Sequence, residues 1–134
     1  MKRLKLLVVT LLLGVMLVGC STSELSEVYD EDILKSEAQN IVNLMCNEEY
    51  DKISANMGPG LNNVTTKEDL EKQLEEVWAP LKDKIGKFDS IEKEVVMGNE
   101  DLATVVEIAK FKNGKVQFTI TFNENMELEG IYIK

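Results

Sequence analysis

The chain has 134 residues, of which 24 are acidic and 15 basic, and it contains no histidine. The absence of histidine excludes Ser-His-Asp and Cys-His catalytic arrangements and removes the commonest ligand of catalytic zinc. The excess of acidic residues disfavours nucleic acid as a partner, because nucleic-acid binding depends on neutralising phosphates with cations.

The first 20 residues have the order of an export signal. Lys2, Arg3 and Lys5 precede an apolar run from Leu6 to Val18, and a small residue follows before Cys20. As a helix the run would rise about 20 Å, which is short of the roughly 30 Å hydrocarbon core of a bilayer. The pattern therefore favours a signal peptide over a transmembrane helix.

The segment Leu17-Val18-Gly19-Cys20 resembles the lipobox of bacterial lipoproteins. The resemblance implies cleavage between Gly19 and Cys20, attachment of diacylglycerol to the Cys20 thiol and fatty acylation of the new amine. It predicts a signal peptide over residues 1–19 and a protein anchored by lipid on the extracytoplasmic face of the cell membrane. Residues 20–29 are predicted to form a tether, and residues 30–134 a single domain.

Charge and cysteine content limit how this domain is anchored to the membrane and how it is stabilised. Removal of residues 1–19 leaves a net charge of −12, so an anionic lipid surface repels the domain and the lipid itself must provide the anchor. Cys46 is the one cysteine left once Cys20 carries lipid, and an intramolecular disulfide is therefore excluded. Cys46 is interpreted as a small core residue, the alternative being a reactive thiol.

The segment from residue 30 to residue 86 is predicted to be helical. A first helix begins at Asp30 and a second short helical turn covers residues 50–53, ending before Met57-Gly58-Pro59-Gly60. A third helix begins at a capping box formed by Thr65 and Glu68, is kinked or ended by Pro80, and is followed by Gly86. The apolar faces of the first and third helices consist of Leu34, Ala38, Ile41, Val42 and Met45, and of Leu70, Leu74, Val77, Trp78 and Leu81.

After Gly86 the apolar period changes to two, which predicts four strands. The strands cover residues 88–97, 102–111, 116–122 and 126–133. Turns are predicted at Gly98-Asn99, Asn113-Gly114 and residues 123–125, and Gly130 indicates a bulge. Helices followed by an antiparallel four-stranded meander give an α+β fold, with the helices covering one face of the sheet.

Several segments between residues 31 and 134 resemble a family of small exported domains of uncharacterised function from Gram-positive bacteria. The resemblance rests on Glu49-Tyr50-Asp51-Lys52-Ile53, Leu70, Trp78, Gly86-Lys87-Phe88 and Leu128-Glu129-Gly130-Ile131-Tyr132-Ile133. It implies a fold similar to nuclear transport factor 2, in which a curved sheet wraps against helices to form a cone. The resemblance supplies no catalytic motif.

Carboxylates and tyrosines are the remaining candidates for chemistry in such a cone. Tyr50, Tyr132, Asp69 and Glu107 are candidate groups for an enzyme that uses an acid and a tyrosine. Trp78 is interpreted as a plug of the core, the alternative being a residue at the mouth of a pocket shared with Tyr50 and Tyr132.

The sequence thus predicts a non-catalytic binding or interaction domain at the cell envelope, with a small carboxylate and tyrosine enzyme as the alternative. No cofactor and no metal site are expected, since the acidic segments 30–32 and 48–51 lack the spacing of a calcium loop. Contact with the membrane is expected through the lipid on Cys20. The partner is left open among a small ligand, a peptide, an envelope protein and a second copy of the chain.

Overall fold

The computed structural model describes residues 25–99 and 101–134, and the predicted signal peptide with Gly19 and Cys20 lies outside them. The described elements, in chain order, are α1 (Glu31–Cys46), α2 (Tyr50–Ser54), α3 (Pro59–Val64), α4 (Lys67–Ile85), β1 (Phe88–Asn99), β2 (Leu102–Phe111), β3 (Gly114–Phe122) and β4 (Leu128–Ile133). The predicted α+β fold, helices followed by a curved antiparallel meander, is confirmed.

Helix α1 begins where its acidic start predicts. The Asp30 carboxylate accepts hydrogen bonds from the backbone N–H groups of Asp32 and Ile33, at 2.9 and 3.2 Å, and so satisfies two groups that have no partner inside the helix. The predicted apolar face is buried along its whole length and consists of Leu34, Ala38, Ile41, Val42 and Met45.

The start of α4 differs from the prediction by one residue. Thr66, and not Thr65, is the N-cap, and its hydroxyl accepts a hydrogen bond of 3.1 Å from the backbone N–H of Asp69. Helix α3 was not expected, since Gly58-Pro59-Gly60 was predicted to end helical structure. Proline suits the first turn of a helix, where its missing N–H costs nothing, and Pro59 therefore begins α3.

Pro80 was predicted to kink or end the helix, and it does not end it, because α4 continues to Ile85. Trp78 and Ile85, which flank the proline, are both buried and hold the two halves against the core. Val77, assigned to the apolar face, is 46% exposed. The helix ends at Gly86, whose φ of +78° favours glycine.

The strands pair in the order β1-β2-β3-β4, and every neighbouring pair is antiparallel. Phe111 pairs with Gly114, so the second turn consists of Lys112 and Asn113 and lies one residue before the predicted pair. Gly98 pairs with Ala103 inside β1, and the turn predicted at Gly98-Asn99 is therefore wrong.

Strand β4 contains the predicted bulge. Thr121 pairs with Gly130 while Phe122 pairs with Leu128, which leaves Glu129 as the extra residue. The strand begins at Leu128, two residues later than predicted, because Met126 has a φ of 60° and belongs to the turn.

Helices α1 and α4 lie over one face of the sheet, called the inner face here. On this face, Trp78 contacts Phe111 and Phe118 with ring centroids 5.8 Å apart in each case. The inward-facing residues of β3 are buried as predicted and consist of Val116, Phe118, Ile120 and Phe122. The opposite face, called the outer face, carries the alternate positions of the strands, of which Thr104 and Thr119 are themselves buried.

The folded domain extends into the segment predicted to be a tether. Leu25 packs against the core, and Tyr29 is buried and donates a hydrogen bond to the backbone carbonyl of Asp101. Among the described residues, no helix combines the length and apolar character needed to cross a bilayer.

Candidate functional site

A fully buried carboxyl group lies in the centre of the sheet. Glu107 occupies β2 at a position that the alternation of the strand turns toward the inner face, between buried Val105 and Ala109. Its side chain is 0% exposed, and neither carboxyl oxygen meets a hydrogen-bond donor. An unpaired charge in this position would be strongly unfavourable.

Glu94 of β1 faces Glu107 across the strand pair. The two residues are direct partners in the ladder, so both side chains lie on the inner face. Helix α1 approaches the pair from above, where the Gln39 side-chain amide donates a hydrogen bond of 2.8 Å to Glu94. Lys35, one turn earlier on α1, provides the nearby positive charge and is itself paired with Glu31 at 3.2 Å.

The two carboxyl groups titrate in opposite directions. Burial, together with the hydrogen bond to Glu94 and its negative charge, raises the pKa of Glu107 to about 9. The hydrogen bond from Glu107 lowers the pKa of Glu94, and the Gln39 amide adds to this effect. Glu107 is therefore protonated at neutral pH and donates to the Glu94 carboxylate, a contact that needs this proton because two ionised carboxylates have no donor between them.

This pair can hold one proton inside the domain and can position α1 over the sheet through Gln39. A neutral buried acid is also the kind of group that donates a hydrogen bond to a substrate oxygen in some enzymes. Because Glu107 has no exposed surface, a substrate would have to displace part of α1 to reach it. The packing therefore favours a structural role over a catalytic one.

The candidate pocket residues do not converge on one space. Trp78 is 1% exposed and fills the core beneath α4, as the plug interpretation predicts. Tyr132 pairs with Thr119, a position of β3 between the inward-facing Phe118 and Ile120, and so belongs to the outer face. Trp78 and Tyr132 therefore lie on opposite sides of the sheet.

Tyr50 and Asp69 lie on helices α2 and α4, whereas the carboxyl pair lies on the sheet. Tyr50 begins α2, and its buried hydroxyl has no hydrogen-bond partner among the described residues. Burial raises the pKa of Tyr50, and the charges of Glu48 and Glu75 raise it further. Asp69 is exposed in the first turn of α4, where its backbone N–H takes part in the cap.

Cys46 is half-buried at the end of α1 and packs against the core. Burial raises the pKa of its thiol to about 11, so the thiol is protonated and a weak nucleophile at neutral pH. In the described part of the chain, no group of three or more acidic, histidine or cysteine side chains is placed to bind a metal ion.

The outer face has an unusual distribution of charge. Its central row crosses all four strands and consists of Val95, Val106, Thr119 and Tyr132. The adjoining row contains Thr104 and Thr121, whose hydroxyl groups lie 3.0 Å apart. No residue of the central row carries a formal charge at neutral pH, although 29% of the chain is charged.

The two ends of the sheet differ in their charged residues. Lysines occupy the end near the turn between β2 and β3, namely Lys93, Lys110, Lys115 and Lys134. Lys115 is paired with Glu92 at 2.8 Å. At the other end, exposed Asp101 and Glu124 lie in the loops that follow β1 and β3.

A family model described as "Protein of unknown function (DUF3887)" matches residues 38–131, which is more than half of the chain. The chain belongs to this family. The matched range of the DUF3887 domain includes Glu94 and Glu107. It also includes Val95, Val106 and Thr119 of the central row. A comparison with curated proteins finds no match.

The fold of this chain is similar to a solved structure, described as the NMR structure of a protein from Ruminococcus gnavus ATCC 29149. The two share 19% sequence identity with a TM-score of 0.64, and the match covers 81% of this chain and 95% of the other. At this identity the similarity establishes the fold and leaves function to the geometry described above.

Sequence reasoning identified Glu107 but missed Glu94. The signal for Glu107 was present, because it interrupts the inward-facing series of β2 with an acidic residue. The partner could not be read in the same way, since register shifts between Phe88 and Ser90 and between Ile91 and Lys93 alter the pairing of β1 with β2. The outer face was not predicted, because alternation along a strand indicates two different faces but not which of them the helices cover.

Proposed function

We propose that this protein is a lipoprotein of the bacterial cell envelope whose domain binds a protein partner through the outer face of its sheet. The single observation that carries the proposal is that the central row of this face has no formal charge and begins at Val95, an apolar side chain that is 36% exposed. Contiguous weakly polar surface of this kind is typical of interaction sites.

The filled interior supports the same proposal. Trp78, Phe118 and Phe122 are each at most 1% exposed and fill the interior between the helices and the sheet. A domain whose interior is packed interacts through its surface. No catalytic step is part of this function.

Lipid attachment at Cys20 determines where the protein is located in this proposal. The lipobox-like segment Leu17–Cys20 supports attachment to diacylglycerol, and a diacyl anchor holds a chain at the membrane more firmly than a single acyl chain does. Leu25, five residues after Cys20, packs against the core, so the folded domain would lie close to the extracytoplasmic surface.

The anchor is tested by metabolic labelling with a clickable fatty acid. The wild-type chain is expected to carry label, and Cys20→Ala to carry none, whereas Cys46→Ala serves as the matched control and keeps the label. Label that persists in Cys20→Ala, or is absent from the wild type, would reject the lipoprotein.

The binding surface is tested by placing a photo-crosslinking amino acid at Val95 and, separately, at Val77. The two valines are similarly exposed, at 36% and 46%, but Val95 lies on the outer face and Val77 on α4. Specific protein adducts are expected from Val95 alone in intact cells. Adducts from Val77 but not from Val95 would place the binding surface on the helices.

A second candidate function is a small enzyme in which Glu107 supplies a neutral carboxylic acid. The observation that favours it is the buried acid paired with Glu94. Carbodiimide labelling followed by mass spectrometry tests access, because this reagent modifies protonated carboxyl groups that it can reach. The enzyme requires modification of Glu107 in the folded protein, and modification confined to exposed acids would exclude it.

A further inference from the structure

We propose that the domain rests on the lipid bilayer with the start of α1, where Val28 and Ile33 enter the headgroup region. This inference rests on the proposed function, because it takes the lipid on Cys20 as its fixed point. It names a lipid surface as a second partner of the domain. It is carried by the short chain between Cys20 and the core, together with two exposed apolar side chains at the same end.

The chain between the lipid and the folded core is short. Leu25 packs against the core and follows Cys20 by five residues. Five residues span at most ~18 Å, whatever path the chain takes. The part of the domain that contains Leu25 is therefore held within about 18 Å of the lipid.

Tyr29 shows which end of the sheet this part belongs to. Tyr29 is buried, and its hydroxyl donates a hydrogen bond to the backbone carbonyl of Asp101 and lies 3.5 Å from that of Phe122. Asp101 directly precedes β2, and Phe122 ends β3. The start of α1 therefore lies at the end of the sheet where β2 begins and β3 ends.

The turn of Lys112 and Asn113 lies at the other end of the same strands. From Phe122 back to Gly114, β3 runs eight residues, which corresponds to ~27 Å. This length exceeds the reach of the chain between Cys20 and Leu25. A domain that rests on the start of α1 thus holds the turn away from the bilayer.

Exposed apolar side chains are concentrated at the anchored end. Val28 lies just before the N-cap Asp30 and is 61% exposed, and Ile33 lies in the first turn of α1 and is 52% exposed. Their neighbours Tyr29 and Leu34 are buried in the core instead. Apolar side chains left in water beside a bilayer are stabilised by entering it, and the anchor brings these two within reach.

The charges around these side chains select the kind of lipid. Glu27, Asp30, Glu31 and Asp32 are all exposed at this end, and Glu31 is paired with Lys35 at 3.2 Å. Anionic headgroups repel such a segment, whereas the ammonium groups of zwitterionic lipids attract carboxylates. The contact therefore fits a zwitterionic surface such as phosphatidylcholine or phosphatidylethanolamine.

Fluorescence quenching by lipids that carry a nitroxide in the headgroup region tests the contact. The mature lipid-bearing chain, in a Cys46→Ser background, is purified from membranes and reconstituted in phosphatidylcholine vesicles. A fluorophore is attached to one introduced cysteine at a time. Quenching at Ile33→Cys is expected to be at least threefold stronger than at Val77→Cys, which replaces a similarly exposed side chain on α4, or at Lys112→Cys in the far turn.

A second variant makes the test independent of the apolar label. With the fluorophore at Ile33→Cys, Val28→Asp is expected to reduce quenching at least twofold, and the matched change Val77→Asp to leave it unaltered. Replacing part of the phosphatidylcholine by phosphatidylglycerol is expected to reduce it as well, through charge repulsion. Unchanged quenching in Val28→Asp would overturn the contact.

The same vesicles test a domain that lies on its side. Lysines near the far turn, including Lys112 and Lys115, would then bind anionic headgroups. In that case quenching at Lys112→Cys would equal that at Ile33→Cys and would increase with phosphatidylglycerol. Either result would overturn the proposal.

Failure of this inference is distinguishable from failure of the proposed function. Flotation of the vesicles reports the anchor, and quenching reports the contact. A chain that floats with the vesicles without preferential quenching at Ile33→Cys would overturn this inference and retain the lipoprotein. A wild-type chain that carries no fatty acid, or does not float, would overturn both.

Discussion

Glu107 is the residue whose burial is hardest to explain by packing alone. A carboxyl group with no exposed surface, placed opposite another carboxyl group, persists in a fold only if one of the two is neutral. The proton shared with Glu94 meets this requirement and leaves Glu94 free to accept a hydrogen bond from Gln39 of α1. The first helix is thereby joined to the sheet by a contact that depends on pH.

Glu107→Gln is expected to change the pH dependence of stability. Because the pKa of Glu107 is raised from 4.5 to about 9, the folded state holds a proton that the unfolded state releases, and stability falls as pH rises through this window. Glutamine stays neutral and can still donate to Glu94. The variant should therefore be more stable than the wild type near pH 8, by on the order of a few kcal/mol, because the wild type must take up a proton on folding at that pH, and the difference should shrink toward pH 4.

Urea titration at several pH values measures this effect. Glu76→Gln, an exposed change on α4, is the matched control and should leave the wild-type pH profile unaltered. A loss of stability in Glu107→Gln that is equal at pH 4 and pH 8 would contradict the shared proton. The lowered pKa of Glu94 acts in the opposite sense and confines its own contribution to pH values above its folded-state pKa.

Trp78 is a second residue whose burial decides between two interpretations, a plug of the core and a residue at the mouth of a pocket. Trp78→Ala removes a side chain that is 1% exposed and contacts Phe111 and Phe118, and it is expected to cost about 3–5 kcal/mol. Val77→Ala, its neighbour on the exposed side of α4, should change stability by less than about 1 kcal/mol. Denaturant titration that gives similar small losses for both would mean that Trp78 lines an opening.

At the scale of elements, Glu129 joins the bulge of β4 to helix α3. As the extra residue of the bulge, it accepts hydrogen bonds from the backbone N–H groups of Leu61 at 3.0 Å and Gly60 at 3.4 Å. Asn123 donates to the same carboxylate at 3.3 Å. The bulge therefore supplies the cap that the first turn of α3 lacks in its own sequence.

Glu129→Ala is expected to destabilise the domain by about 1.5–3 kcal/mol, the range for hydrogen bonds to a charged group. Amide hydrogen exchange should show faster exchange at Leu61 in this variant, because its acceptor is lost. Glu124→Ala, an exposed change in the preceding turn, is the control and should alter neither quantity. Unchanged exchange at Leu61 would contradict the cap.

The bulge also decides which face Tyr132 occupies. With strict alternation from Leu128, which faces inward, Tyr132 would face inward as well. The extra residue turns Ile131 and Ile133 inward, where they pair with Ile120 and Phe118, and places Tyr132 outside. The single extra residue therefore rules out an inner pocket that contains Tyr132. Gly130 predicted the bulge but not this effect on Tyr132.

Across the whole molecule, elements with strong periodicity were predictable and their exact pairing was not. The apolar face of α1 and the inward series of β3 follow directly from periods near 3.6 and 2. Pro80 misled because tertiary packing of Trp78 and Ile85 outweighs the loss of one helical hydrogen bond. Glu94 was missed because irregular pairing in β1 is invisible in its sequence.

In the proposed function, a lipid-anchored domain presents an outer face that a protein partner covers in intact cells. Labelling of single cysteines with a membrane-impermeant maleimide in intact cells tests both parts at once. In the Cys46→Ser background, Val77→Cys is expected to label rapidly, which requires an extracytoplasmic domain, and Val95→Cys to label at least tenfold more slowly. Both should label equally after unfolding in urea. Equal, rapid labelling of the two positions in cells would contradict a covered face, and labelling of neither before lysis would contradict the location.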